Sequence, residues 1–160
     1  MPSQAVMPSN LTAFFSTLAD AARASGAFER VVLLASGGVE GVDRVQPEAS
    51  FRVALEDGAL WVSWVSPNRY LSQSIEAEVK WTGDDINELV AEEVEAQGWE
   101  GPAAGDFEHF RSEDKLFTFR SKLPLDPARA GAADAAAGLK FMLAYQGALR
   151  NLGDMKEDEE

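Results

Sequence analysis

Asp57-Gly58, set between two apolar runs, constrains this chain more than any other pair of residues. An Asp-Gly link favours the left-handed two-residue turn that matches strand twist, so its flanking runs must pair antiparallel. Before it, Phe51-Arg-Val-Ala-Leu55 alternates with a period of two; after it, Leu60-Trp-Val-Ser-Trp-Val65 returns. Ser66, Pro67 and Asn68 break that return. Residues 70–81 read as a third, longer strand, with Leu71, Ile75, Ala77, Val79 and Trp81 on one face. Thr82, Gly83, Asp84 and Asp85 then open a helix with carboxylates in its first turn, where the dipole favours them. Ile86, Leu89, Val90 and Val94 share one stripe of it, and Gly98 stops it.

The rest of the chain is arranged around this stretch. Ser9 and Asn10 read as the cap of a first helix over residues 10–25, carried by Leu11, Phe14, Phe15, Leu18 and Ala22. Residues 30–35 favour a strand, because Val31 and Val32 are β-branched and Ser36, Gly37 and Gly38 follow. Residues 39–46 read as a second short extended piece. Residues 98–105 form a glycine-rich loop whose Trp99 is either a lid on the core or an exposed contact. A second hairpin runs over residues 106–111 and 116–121. It buries Phe117 and Phe119 and places Arg120 and Lys122 on the opposite face. Asp126 and Pro127 signal the start of a final helix over residues 127–152. The expectation is an α+β fold, an antiparallel sheet with helices packed on it, in the order α-β-β-β-α-β-β-α. Residues 1–9 read as a flexible arm, 10–153 as a single domain and 154–160 as an acidic, disordered tail.

Charge narrows the partners. The net charge is −13, and it is not spread evenly. Residues 84–114 hold eleven acidic side chains against Arg111 alone, and residues 154–160 hold five against Lys156. The remainder is close to neutral. Such a field repels nucleic-acid phosphates and anionic membranes, and attracts basic partners most strongly at low salt. Glu88, Glu92 and Glu95 lie away from the apolar stripe of their helix and form the candidate steering face; a plain solvent face is the competing reading. Arg120, Lys122 and Lys115 make the one basic cluster, too small for direct nucleic-acid binding in so acidic a chain. The first residues lack the basic and apolar regions of a signal peptide, and no run is long and apolar enough to span a membrane. With no cysteine, a cytoplasmic setting is expected.

The residues of chemistry are sparse. His109 is the only histidine and sits in the aromatic run Phe107-Glu-His-Phe110; no Gly-x-Ser-x-Gly elbow accompanies it, so a structural role is expected. Gly37, Gly38 and Gly41 lack the lysine and hydroxyl of a phosphate loop. Carboxylates and one histidine make a poor zinc set, and the acidic helix lacks the spacing of a calcium loop. No catalytic residue, metal or cofactor is expected. The tryptophans say more. Trp61 and Trp64 fall on opposite faces of one strand, so that strand is apolar on both sides; one side must meet something besides its own helices, unless both are core. The final helix has a stripe broadened by Phe141 and Tyr145, which suits a helix covered on two sides. The cover is either its own domain or another molecule. Trp61, Trp64, Phe141 and Tyr145 are therefore the candidate partner or dimer surface.

Two passages carry a family resemblance. Asp85, Ile86, Asn87, Glu88 and Leu89 resemble the start of the central helix of YbjN proteins, with Val90 and Ala91 where that pattern has a second asparagine. The aromatic strand over residues 116–125, leading into a long last helix with Phe141 and Tyr145, resembles the closing half of that family. The element order also resembles the small acidic dimeric chaperones of type III secretion systems. The resemblance spans residues 50–152. It implies a homodimer without enzymatic activity that binds another protein, in a regulatory or stress setting or as a chaperone-like adaptor. The charge distribution adds that the client is basic. The alternative is a regulatory module that senses a small molecule between sheet and helices.

Overall fold

The computed structural model describes residues 8–35, 37–44, 48–68, 73, 75, 86–111 and 116–154. Among the described residues six strands form one antiparallel sheet: β1 (Phe28–Leu34), β2 (Gly38–Asp43), β3 (Ser50–Glu56), β4 (Ala59–Ser66), β5 (Glu108–Arg111) and β6 (Phe117–Lys122). Their order across the sheet is β1-β2-β3-β4-β6-β5. Among the described residues three α-helices of defined extent accompany it: α1 (Ser9–Ser25), α2 (Ile86–Ala96) and α3 (Ala135–Asp154). The fold is α+β with an antiparallel sheet, as the sequence suggests, and its element order roughly matches the expected one, with four strands between α1 and α2 among the described residues.

The β3–β4 hairpin forms where Asp57-Gly58 requires it. Both turn residues have positive φ, 54° and 78°, and Glu56 pairs directly with Ala59. The resulting register decides which side chains share a face. Phe51, Val53, Leu60, Val62 and Trp64 point to the helices; Arg52, Ala54, Trp61, Ser63 and Val65 point the other way. The two less readable stretches near the beginning become β1 and β2, joined by a tight turn in which the Gly37 amide donates to the Leu34 carbonyl at 3.0 Å.

The strand beside β4 is β6, and only two residues of the predicted third strand over 70–81 are described. Gln73 and Ile75 are helical. Their burial gives the reason: a strand would put both on one face, yet Gln73 is exposed and Ile75 is 1% exposed in the core. The other positions of this predicted strand, and the predicted cap at residues 82–85, lie outside the described residues. So do residues 1–7 and 155–160, where the arm and tail are expected.

Two predicted helix starts are corrected. Asn10 does not cap α1. Its amide instead donates to the carbonyls of Pro127 and Ala130, at 3.0 and 2.8 Å, and ties α1 to the segment before α3. Asp126 does accept a backbone bond, from the Ala128 amide at 2.9 Å, but the turn it holds is not continued. Gly131 is extended there, and α3 begins only at Ala135 after a 3₁₀ turn over Ala132–Asp134. The Asp134 carboxylate accepts from the Gly131 amide at 3.0 Å, so a side chain at the third position secures the entry.

The helices form a layer on one sheet face. α1 packs on β1 and β2, α3 on β3 and β4, and α2 against α3. Small residues set the spacing. A Cβ at Gly138 would stand 3.1 Å from the Phe14 ring and 3.2 Å from Leu18, so α1 approaches α3 there. A Cβ at Gly147 would stand 2.6 Å from a carboxylate oxygen of Glu93, so α2 approaches on the opposite flank. Within this layer the Tyr145 hydroxyl and Ser121 share a buried hydrogen bond of 2.7 Å, and the Gln146 amide donates to Ala27 O and to the buried carboxylate of Asp43.

These contacts make two predictions. Gly138→Leu is expected to lower stability by about 1–3 kcal/mol, because it overpacks against Phe14 and Leu18. Gly147→Ala should instead raise it by up to about 1 kcal/mol, because the Glu93 carboxylate can swing aside and alanine favours helix. Urea unfolding of both variants checks this; equal losses would show that the two flanks are equally rigid. Tyr145 gives the second. Burial raises its pKa well above the usual tyrosine value; the Ser121 bond opposes this and Glu108 adds to it. The folded state therefore holds the phenolic proton more tightly than the unfolded chain, which releases it near pH 10 (about the model-peptide value). The stabilising contribution is complete below that pH and is lost as pH rises towards the raised pKa. Tyr145→Phe should cost about 0.5–1.5 kcal/mol at neutral pH and flatten the fall in stability in alkali. Identical alkaline slopes in unfolding titrations would exclude it.

Candidate functional site

The sheet face turned away from the helical layer is built by alternation along β3, β4, β6 and β5. Ser63 pairs with Arg120, Trp61 with Lys122, Val65 with Thr118, and Glu108 with Arg120 across the next ladder. Arg120 is the centre of this face. Its guanidinium lies 3.7 Å from the centroid of the Trp61 ring and 5.0 Å from that of Phe110. It donates to Glu56 at 2.6 Å and Glu108 at 3.0 Å, and Asp57 approaches to 3.6 Å. Trp61 is fixed in turn, its indole N–H donating to the Glu56 carbonyl at 2.9 Å. Burial disfavours the arginine's charge, but Glu108 and Glu56 outweigh it and the guanidinium is held more firmly protonated than usual. Beside it, Arg52 pairs with Glu40 at 3.2 Å.

This arrangement disposes of the basic cluster seen in the sequence. Arg120 is surrounded by three carboxylates and two aromatic faces, so its charge is spent inside the face. Lys115 lies outside the described residues, and Lys122 is exposed with its ammonium 5.6 Å from the Trp61 ring.

The four candidate surface residues part company. Trp64 is 1% exposed and Phe141 and Tyr145 are fully buried, all in the core between sheet and helices. The broad stripe of α3 is thus covered by its own sheet, by α1 and by α2. Trp61 is the one of the four on the outer face, and even it is covered by Arg120. Trp99 acts as a lid on the core. It packs edge-on to Phe141, with centroids 5.4 Å apart, and its N–H donates to the Pro102 carbonyl.

The acidic residues sit as their spacing suggests. Ile86, Val90 and Val94 are buried against the core, whereas Glu88, Glu92 and Glu95 are exposed. Asn87 fixes where this helix stands. Its side-chain oxygen accepts from the Phe107 amide at 2.9 Å, just before β5. The acidic helix is therefore held at the β5 end of the sheet. His109 stacks on Phe119, with centroids 3.9 Å apart, and its Nδ1 donates to the Thr118 carbonyl at 3.0 Å. Among the described residues no group of three or more His, Asp or Glu side chains is placed to hold a metal ion. No described helix is long and apolar enough to cross a membrane.

The sequence reading missed the Trp61–Arg120 stack. Both residues were visible on the outward positions of their strands, but the pairing of β4 with β6 spans more than fifty residues and leaves no local signal. No protein-family model, curated protein or solved structure matches this chain.

Arg120→Ala is expected to cost about 1–2 kcal/mol through the lost ring stack and the carboxylates left together, and to uncover Trp61. Arg120→Lys should fall between, since an ammonium keeps the charge without the planar stack. Acrylamide quenching of tryptophan fluorescence alongside thermal melts tests this; unchanged quenching in the alanine variant would remove Arg120 as the cover.

Proposed function

We propose that this chain is a non-enzymatic, dimeric, chaperone-like adaptor that binds a basic protein client, in a cytoplasmic regulatory or stress context. The observation that carries the reading is the two-sidedness of α2. Ile86, Val90 and Val94 anchor it, and Glu88, Glu92 and Glu95 stand together in solvent on its far side. A fixed row of carboxylates within the most acidic third of the chain concentrates negative potential where a partner can reach it. Long-range attraction of this kind acts on the rate of encounter and fades as salt shortens its range. The side chains that would mark a nucleic-acid surface support the same reading, because Arg120 is consumed by Glu56, Asp57 and Glu108. The resemblance to YbjN proteins and secretion chaperones points the same way.

The test is to isolate the client from native extract by salt-stepped affinity capture and then to measure association with the purified pair. Replacing Glu88, Glu92 and Glu95 together by glutamine should slow association roughly tenfold at low ionic strength and flatten its salt dependence. An unchanged rate and salt slope would refute steering by α2.

A further inference from the structure

The sheet has two edges, and they differ in kind. β5 is four residues long, and three of those four, Glu108, His109 and Arg111, are polar and exposed. Short, charged edges resist the addition of another strand. β1 has seven residues and ends in the apolar run Val31-Val-Leu-Leu34. Val32 and Leu33 are 37% and 52% exposed, the exposed large hydrophobic side chains among the described residues. They lie on opposite faces of β1, so the strand offers apolar contact above and below the sheet plane. The described strands leave its outer side unpaired. At one point a side chain stands in for a neighbour: the Arg23 guanidinium donates to the Val31 carbonyl at 3.3 Å. Arg23 is itself half-exposed and its ion pair with Asp20 lies on the surface, so it can give way.

We propose that β1 is the dimer contact, joining edge to edge with β1 of a second copy to make one continuous sheet. The occupant follows from charge and symmetry. Asn87 holds the acidic helix at the β5 end, while β1 lies at the far end in the near-neutral part of the chain. Two strongly acidic chains meeting at β1 keep their acidic helices as far apart as the sheet allows. A basic client, by contrast, would be drawn to the other end. A two-fold axis normal to the sheet makes the new pairing antiparallel, like every other ladder in this structure. With the axis at Val32, Val32 faces its own copy and Val31 faces Leu33 in both directions. That register centres Val31, Val32 and Leu33, with Arg30 opposite Leu34 and Glu29 opposite Ala35 at the margins. A contact of one strand per copy is small, so the dimer is expected to be weak and concentration-dependent.

This inference rests on the dimeric part of the proposed function, and the experiment separates the two. Sedimentation equilibrium of the full chain is measured across a concentration series for wild type and for Val32→Lys with Leu33→Lys. The expected result is a wild-type dimer whose dissociation constant rises by about tenfold or more in the variant. Val32→Thr with Leu33→Thr keeps strand-forming residues and should weaken the dimer in the same direction while leaving circular dichroism unchanged. A wild-type dimer that both variants leave intact overturns the β1 contact and keeps the dimer. A wild type that stays monomeric across the series overturns both.

Discussion

Trp64, Phe141 and Tyr145 lie in one continuous core between the central hairpin and α3, and withdrawing those rings from water is the interaction the rest depends on. Each such ring contributes about 2–3 kcal/mol on burial. The hairpin supplies a rigid, twisted platform because its turn admits no slack. The helix lies down on it because α1 and α2 clasp it from two sides, at Gly138 and Gly147. Those glycines are nine residues apart, half a turn out of phase, so they open opposite flanks of one helix. A single wide apolar stripe can therefore be enclosed by one chain.

What was legible in the sequence follows from how local each signal is. Asp57-Gly58 specifies its hairpin within four residues, and the stripes of α1 and α2 declare their buried faces. The alternation along β4 separates Trp61 from Trp64, but it cannot say which side the helices take. For α3, the breadth of the stripe is the same whether the second cover comes from its own chain or another. Gly147 was the available sign that a neighbouring helix lies close. Residues 70–81 misled for a different reason. Leu71 and Ile75 fit a spacing of four as well as a spacing of two, and Gln73 between them decides for the helix.

Formal charge proved a poor guide to the outer face and a good guide to α2. Counted along the chain, Arg120 belongs to a basic cluster. In space it is half-buried among Glu56, Asp57 and Glu108, with its guanidinium over the Trp61 ring. With three carboxylates around its guanidinium, Arg120 gives the face no net positive charge. Glu88, Glu92 and Glu95 of α2 are exposed on the side away from buried Ile86, Val90 and Val94, and among the described residues no cation pairs with them. The result is a molecule whose two sheet ends are chemically unlike.

The order of the helical layer bears on how the chain acquires its structure. α3 comes last in sequence, yet it lies between α1 and α2 and covers β3 and β4. As the polypeptide emerges during synthesis, the hairpin with Trp64 is complete long before the helix that shields it. Until residues 135–149 arrive, β3 and β4 lack the helix that packs on them, and α1 and α2 have no common partner. Contacts between segments so distant in sequence close slowly, because their loop entropy must be lost before burial rewards it. The nascent chain thus carries its greatest risk of misassociation late, and the final helix is the event that ends it.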